Sequence, residues 1–235
     1  MQVLTPTPRY TEAALDKVFM TAVAATGFSI HEGRADPWDP YLRRWEGGRD
    51  GADTVYGIVE IASGPATDVA GVVWDAVDAS FAEPRLSITR LFNQALTNAH
   101  ESLSDYAARD WKAGVTLAAM RGDEIYVAWA GPSLALFTSE TDGLLRPSQG
   151  GDDSDLLDVP LGAEGELTPR LVRRPVAPEV ELVLSWTSLS ERVNDRALEA
   201  LLAAGSDGSA QAIYRLVDNE REFAALVARF RTQGE

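Results

Sequence analysis

The chain has 235 residues, 45% of them hydrophobic and 24% charged, with 21 Lys+Arg against 36 Asp+Glu and a formal net charge of −15. With no cysteine there is no disulfide scaffold, thiolate nucleophile or thiolate metal site, and two histidines, His31 and His100, are too few for a three-histidine centre. The negative balance repels phosphate backbones and anionic bilayers, so neither a nucleic-acid nor a membrane partner is expected.

The length suits one large domain, read here as a single unit over residues 1–235, with residues 1–26 as a candidate N-terminal extension. The start, Met1-Gln2-Val3-Leu4-Thr5-Pro6, lacks the basic-then-apolar order of a signal peptide. No apolar run approaches the roughly 18 residues a span requires, and a cytoplasmic location is expected. Lysine occurs only at Lys17 and Lys112, so arginine supplies the remaining cations. A GC-rich genome gives that bias without function, although the guanidinium fork also suits phosphate recognition.

Along the chain, residues 11–25 fit a helix and residues 19–28 also fit a strand. Gly27 to His31 and Tyr41 to Trp45 read as short strands joined by a polar loop over 33–40, and Thr54 to Ile61 reads as a buried strand. Val69, Val72, Val73, Ala76, Val77, Ser80 and Phe81 share one helical face, with Pro65 just inside the start. A longer amphipathic helix runs from Ile88 through Ala107, with Ser87 as its cap. Two hairpins follow, 115–120 with 125–130 and 134–138 with 144–146, and then a polar loop over 147–158. Residues 179–185 form another strand. A helix over 189–203 opens on a capping box, Ser188 and Glu191, a shorter one covers about 209–217, and a strand over 223–230 closes the chain. Blocks of strands and helices kept apart predict a layered α+β fold.

In this order the local sequences resemble the metal-dependent protein phosphatases (protein phosphatase 2C-like). Gly114-Val115-Thr116-Leu117 resembles the family's Gly-Thr-Thr-Leu strand, and Gly131-Pro132-Ser133 its Gly-Asp-Ser hairpin. Leu161-Gly162 resembles the Leu-Gly element, and Ser185-Trp186-Thr187-Ser188-Leu189 the Ser-Asp-Gly-Leu strand end. Glu60-Ile61-Ala62-Ser63-Gly64 stands where the family has Asp-Gly-x-Gly-Gly, and Arg34-Ala35-Asp36-Pro37-Trp38-Asp39 fits Arg-x-x-Asn-x-Asp. The resemblance implies a four-layer α-β-β-α sandwich of two antiparallel sheets flanked by helix pairs. It also implies hydrolysis of phosphoserine and phosphothreonine by two Mn²⁺ or Mg²⁺ ions held on carboxylates.

The departures fall on those carboxylates. The Asp of Asp-Gly is Glu60 and its Gly is Ile61; the Asp of Ser-Asp-Gly-Leu is Thr187, followed by Ser188; the Asp of Gly-Asp-Ser is Pro132. The closing Asp-Asn falls on Arg221 and Glu222, or on Asp218 and Asn219 if the last strand begins three residues late. Arg34, at the phosphate-binding arginine, and Asp39 are retained. A pair of dications short of several anionic ligands is left with uncompensated repulsion, and Asp39 with Glu60 remains as one weak or vestigial site.

Other motifs have plainer readings. Gly131-Pro132-Ser133-Leu134-Ala135 is one residue short of a nucleophile elbow, but both histidines precede the serine, so a hairpin turn is expected. His100 reads as a helix-boundary residue, while His31 lies close to Arg34. The acidic stretch 152–155 lacks the glycine and closing glutamate of a calcium loop, and the six tryptophans read as core or rim residues.

Two functions follow from the resemblance. The first is a catalytically impaired pseudophosphatase that works by binding a phosphoprotein or a kinase-linked partner through Arg34. The alternative is an active Mn²⁺- or Mg²⁺-dependent serine/threonine phosphatase.

Overall fold

A computed structural model describes residues 20–36, 39–47, 53–82, 87–121, 124–139, 143–145, 159–175, 179–202 and 206–232. The predicted 147–158 loop, and residues 11–19 of the first segment, lie outside them.

Two antiparallel sheets form the centre. The six-stranded sheet has the order β2-β1-β11-β10-β7-β8 and the five-stranded sheet β3-β4-β5-β6-β9. In chain order the strands are β1 Met20–His31, β2 Arg34–Asp36, β3 Leu42–Gly47, β4 Asp53–Ser63, β5 Lys112–Arg121, β6 Glu124–Ala130, β7 Leu134–Ser139, β8 Gly143–Leu145, β9 Arg170–Pro175, β10 Glu179–Ser185 and β11 Phe223–Thr232. Helices α1 (Ala66–Phe81) and α2 (Ile88–Ser104) cover the five-stranded sheet. Helix α3 (Ser188–Arg192) follows β10, α4 (Asp195–Leu202) comes next, and α5 (Ser206–Val217) packs on β1 and β11. This is the expected α-β-β-α order.

The apolar periods explain the layers. Val69, Val73, Trp74 and Val77 of α1, and Phe92, Leu96, Ala99 and Leu103 of α2, are all buried. Between the sheets the tyrosine ring of Tyr56 on β4 meets Phe230 of β11 edge-on, centroids 6.2 Å apart. On the other face of β4, Gly57 leaves room for Trp45, whose ring would lie 2.8 Å from any added Cβ. Trp45 then stacks on Phe81 of α1 at 4.7 Å.

Several local expectations are corrected. The helical alternative over 11–25 fails where it is described, because β1 pairs with β11 from Met20 onward. Residues 20–26 of the candidate extension are therefore part of a sheet. The polar 33–40 loop contains β2, which hairpins back onto β1 with His31 opposite Arg34. The long helix stops at Ser104, and Ala107–Arg109 is a separate 3₁₀ turn. Ser87 does stand at the N-cap, but its side chain makes no capping bond. The predicted 189–203 helix breaks at Val193, whose backbone is extended. Its capping box does not form either: the N-cap residue is Thr187 and its side chain does not cap the helix.

Candidate functional site

The Thr187 hydroxyl is spent elsewhere. Glu60 lies near the end of β4, and Thr187 lies just past β10 on the facing sheet. The Thr187 backbone N–H donates to Glu60 Oε2 at 2.8 Å and its hydroxyl donates to Oε1 at 2.5 Å. Trp186 fixes the approach, its indole N–H donating to the Val59 carbonyl at 2.8 Å. Both carboxylate oxygens are thus met by neutral donors. Burial pushes the Glu60 carboxyl above its ordinary range, the two Thr187 bonds pull against that, and the charge of Glu191 adds to the rise. The next residue, Ile61, is a partly buried hydrophobe packed against the core.

A second carboxylate stands directly before β11. Glu222 accepts a short hydrogen bond from the Tyr41 hydroxyl, one from the Glu32 backbone N–H at 3.1 Å, and one from His31 Nδ1 at 3.0 Å. Burial alone would raise its pKa, but the Tyr41 and His31 bonds hold the carboxyl below its usual range. Tyr41 moves the other way, raised by burial and then by its bond to Glu222. Its ring lies 5.1 Å from that of Trp186, so the two carboxylate clusters are neighbours joined by two aromatic rings. His31 Nε2 meets the Thr67 hydroxyl at 3.1 Å.

The remaining sequence candidates are dispersed. Asp39 is not brought to Glu60; its side chain is 73% exposed and pairs with Arg43 at 2.6 Å. Arg34 is exposed on β2, opposite His31. Arg221 is exposed, and its carbonyl accepts the Gly33 N–H at 2.9 Å. Strand β11 opens at Phe223, immediately after Arg221 and Glu222, whereas Asp218 and Asn219 fall in the turn after α5. Ser188 opens α3. Pro132 forms a turn whose carbonyl oxygen is pressed against Gly114. Tyr41 and Thr67 were not singled out from the sequence. They lie 10 and 36 residues from His31, and no spacing rule links a strand-end histidine to them.

No family model matches the chain, and no curated protein matches it. Solved structures match over most of its length. A serine/threonine phosphatase of S. agalactiae aligns with a TM-score of 0.70 at 11% identity, covering 92% of this chain and 100% of that one. PppA of Pseudomonas aeruginosa, described as a key regulatory component of T6SS, aligns at 0.67 and 13%, covering 91% and 98%. The catalytic domain of the phosphatase PstP, in complex with two manganese ions, aligns at 0.62 and 13%, covering 91% and 99%.

The chain has the protein phosphatase 2C fold. The residues that match that fold's motifs do structural work here. A Cβ on Gly114 would lie 1.9 Å from the Pro132 carbonyl oxygen, and Gly131 holds a φ of +73°. The hydroxyls of Thr116 and Ser133 bond to one another in the buried space beside that turn. His100 is held between the Gly162 N–H, which donates to Nδ1 at 3.2 Å, and the Gly165 carbonyl, which accepts from Nε2 at 3.1 Å. Both of its ring nitrogens are taken up by backbone groups, so it is a packed histidine and not a ligand.

The positions that the sequence resemblance aligns with metal carboxylates do not suit a pair of dications. Such a centre needs several carboxylate oxygens converging with open lone pairs. Both Glu60 oxygens face Thr187, both Glu222 oxygens have protein donors, and Asp39 is turned to Arg43. Among the described residues no group of three or more His, Asp or Glu side chains is placed to hold a metal ion.

Proposed function

We propose that this chain is a single phosphatase-fold domain, cytoplasmic, that no longer runs two-metal phosphoester hydrolysis and instead binds a phosphoprotein or a kinase-linked partner. The observation that carries the reading is the Glu60–Thr187 pair. A carboxylate that would face a dication in the fold's metal-dependent members is closed on both oxygens by a neighbouring amide and hydroxyl. Arg34 supports the binding half. It is exposed on the hairpin edge and has no ion-pair partner among the described residues of a chain of net charge −15. A phosphate accepts a bidentate guanidinium contact that a carboxylate-rich surface would otherwise repel. PppA, described as regulatory, shares the fold.

The test is fluorescence anisotropy with phosphoserine and phosphothreonine peptides in EDTA. Saturable binding that survives chelation and is abolished in Arg34→Ala supports the reading, whereas no binding to any phosphopeptide removes it. The competing reading, a manganese-dependent phosphatase, draws on the manganese-bound PstP domain and on the retained Arg34 and Asp39. Mn²⁺-dependent turnover of a phosphomonoester, lost in Asp39→Ala, would establish it.

A further inference from the structure

His31 sits where the end of β1, the first turn of α1 and the start of β11 meet. Its ring nitrogens have different partners: Nδ1 faces Glu222 Oε2 at 3.0 Å and the Tyr41 hydroxyl at 3.1 Å, and Nε2 faces Thr67 Oγ1 at 3.1 Å. Counting protons fixes the tautomer. An ionised carboxylate only accepts, and the single Tyr41 hydroxyl proton is given to Glu222. Nothing on that side can donate to Nδ1, so Nδ1 carries the hydrogen. In the neutral ring Nε2 is then the bare nitrogen, and the Thr67 hydroxyl donates to it. The order hydroxyl, imidazole, carboxylate is the one that activates an oxygen nucleophile.

Two further features fit that chemistry. Thr67 is exposed, so an electrophile can reach it. It is also the second residue of α1, a helix of 16 residues whose N-cap, Pro65, offers no side-chain bond. The first intrahelical bond is Val69 N–H to the Pro65 carbonyl at 2.9 Å. The backbone N–H groups of Ala66, Thr67 and Asp68 thus have no protein partner among the described residues and are available as donors at the helix end that carries Thr67.

We propose that Thr67, His31 and Glu222 form a metal-independent acyl-transfer site for carboxylic esters. The Thr67 oxygen adds to the ester carbonyl carbon while its proton passes to His31 Nε2. Collapse of the tetrahedral adduct breaks the bond to the alcohol oxygen, which takes that proton from Nε2 and leaves as the free alcohol. Water then attacks the acyl-Thr67 ester, gives a proton to Nε2, and releases the carboxylic acid as the Thr67 hydroxyl is regenerated. Glu222 and the Tyr41 hydroxyl keep the ring in the required tautomer throughout. This activity is separate from phosphoprotein binding and needs no part of that reading.

The experiment treats the full chain with p-nitrophenyl acetate in EDTA, follows p-nitrophenolate release, and maps the acetyl group by mass spectrometry. Few competing acceptors exist, since the chain has two lysines, two histidines and no cysteine. The expected result is acetyl on Thr67, retained at the serine of Thr67→Ser, absent in Thr67→Val, and formed about a hundredfold more slowly in His31→Gln. Thr67 is exposed, so its variants test the site even if His31→Gln fails to fold. An acetyl group confined to His31 or the lysines, or the same release rate in Thr67→Val, overturns the proposal.

Discussion

Replacing Thr187 with valine keeps the shape of the side chain and deletes one donor to Glu60. The backbone N–H bond at 2.8 Å remains, and the 2.5 Å hydroxyl bond is lost. The helix cap is not disturbed, because the Thr187 side chain does not cap α3. A hydrogen bond to a charged group contributes about 1.5–3 kcal/mol, so Thr187→Val should lose that much stability at neutral pH, measured by chemical denaturation. The pH dependence separates this cause from simple loss of packing. Burial raises the Glu60 carboxyl above the ordinary Glu range and the Thr187 bonds oppose the rise. A carboxyl with a raised folded-state pKa binds more protons folded than unfolded, so stability falls as pH climbs from the ordinary value through the raised one. Losing the hydroxyl lifts the folded value further and extends that fall upward. Below the ordinary Glu range the carboxyl is protonated in both states, and the loss should shrink to that of a neutral bond, about 1 kcal/mol. An equal loss at both pH values, or none at neutral pH, would show that the hydroxyl does not stabilise the Glu60 carboxylate.

Other outcomes follow from single contacts. Gly114→Ala should cost about 3 kcal/mol or prevent folding, read as a lowered denaturation midpoint, because the added methyl would meet the Pro132 carbonyl oxygen at 1.9 Å. Tyr56→Phe should be as stable as the parent, or more stable by about 1 kcal/mol, since the buried Tyr56 hydroxyl has no hydrogen-bond partner among the described residues; a clear loss of thermal stability would reveal one. Glu222 has a depressed folded-state pKa. Its contribution is therefore present above the ordinary Glu value and is lost as pH falls through the lowered one. In urea midpoints taken across that acid range, Glu222→Gln should show a flatter decline than the parent.

The layers were legible where burial imposes a period. Val69 to Phe81 and Ile88 to Leu103 mark their faces by spacing, and the 179–185 strand reads as central because Val180 to Ser185 are buried on both sides. Strand β9 was not foreseen: Arg170–Pro175 is an arginine-rich edge paired only with β6, so no apolar alternation marks it. The Ser188–Glu191 capping box failed because the helix starts one residue earlier than the pattern implies: Thr187 is the N-cap and Ser188 already lies inside α3. The site divides the same way. The altered positions Glu60, Thr187, Arg221 and Glu222 were visible as residues out of pattern, but what they do instead was not. Thr187 closing on Glu60, and His31 and Tyr41 gathering on Glu222, join residues 127, 191 and 181 apart. The Glu60–Thr187 and Tyr41–Glu222 contacts exist only once the two sheets are stacked, and the His31–Glu222 contact only once β1 has paired with β11.

Glu60 and Glu222 are met by protein donors and Asp39 pairs with Arg43, an arrangement ill-suited to cradling a pair of dications. A calorimetric titration of the full chain with Mn²⁺, run beside a phosphomonoester assay, tests it directly. The expected result is no saturable uptake of two ions per chain and no manganese-dependent turnover. Two tightly bound manganese ions per chain, with turnover that disappears in Asp39→Ala, would contradict it.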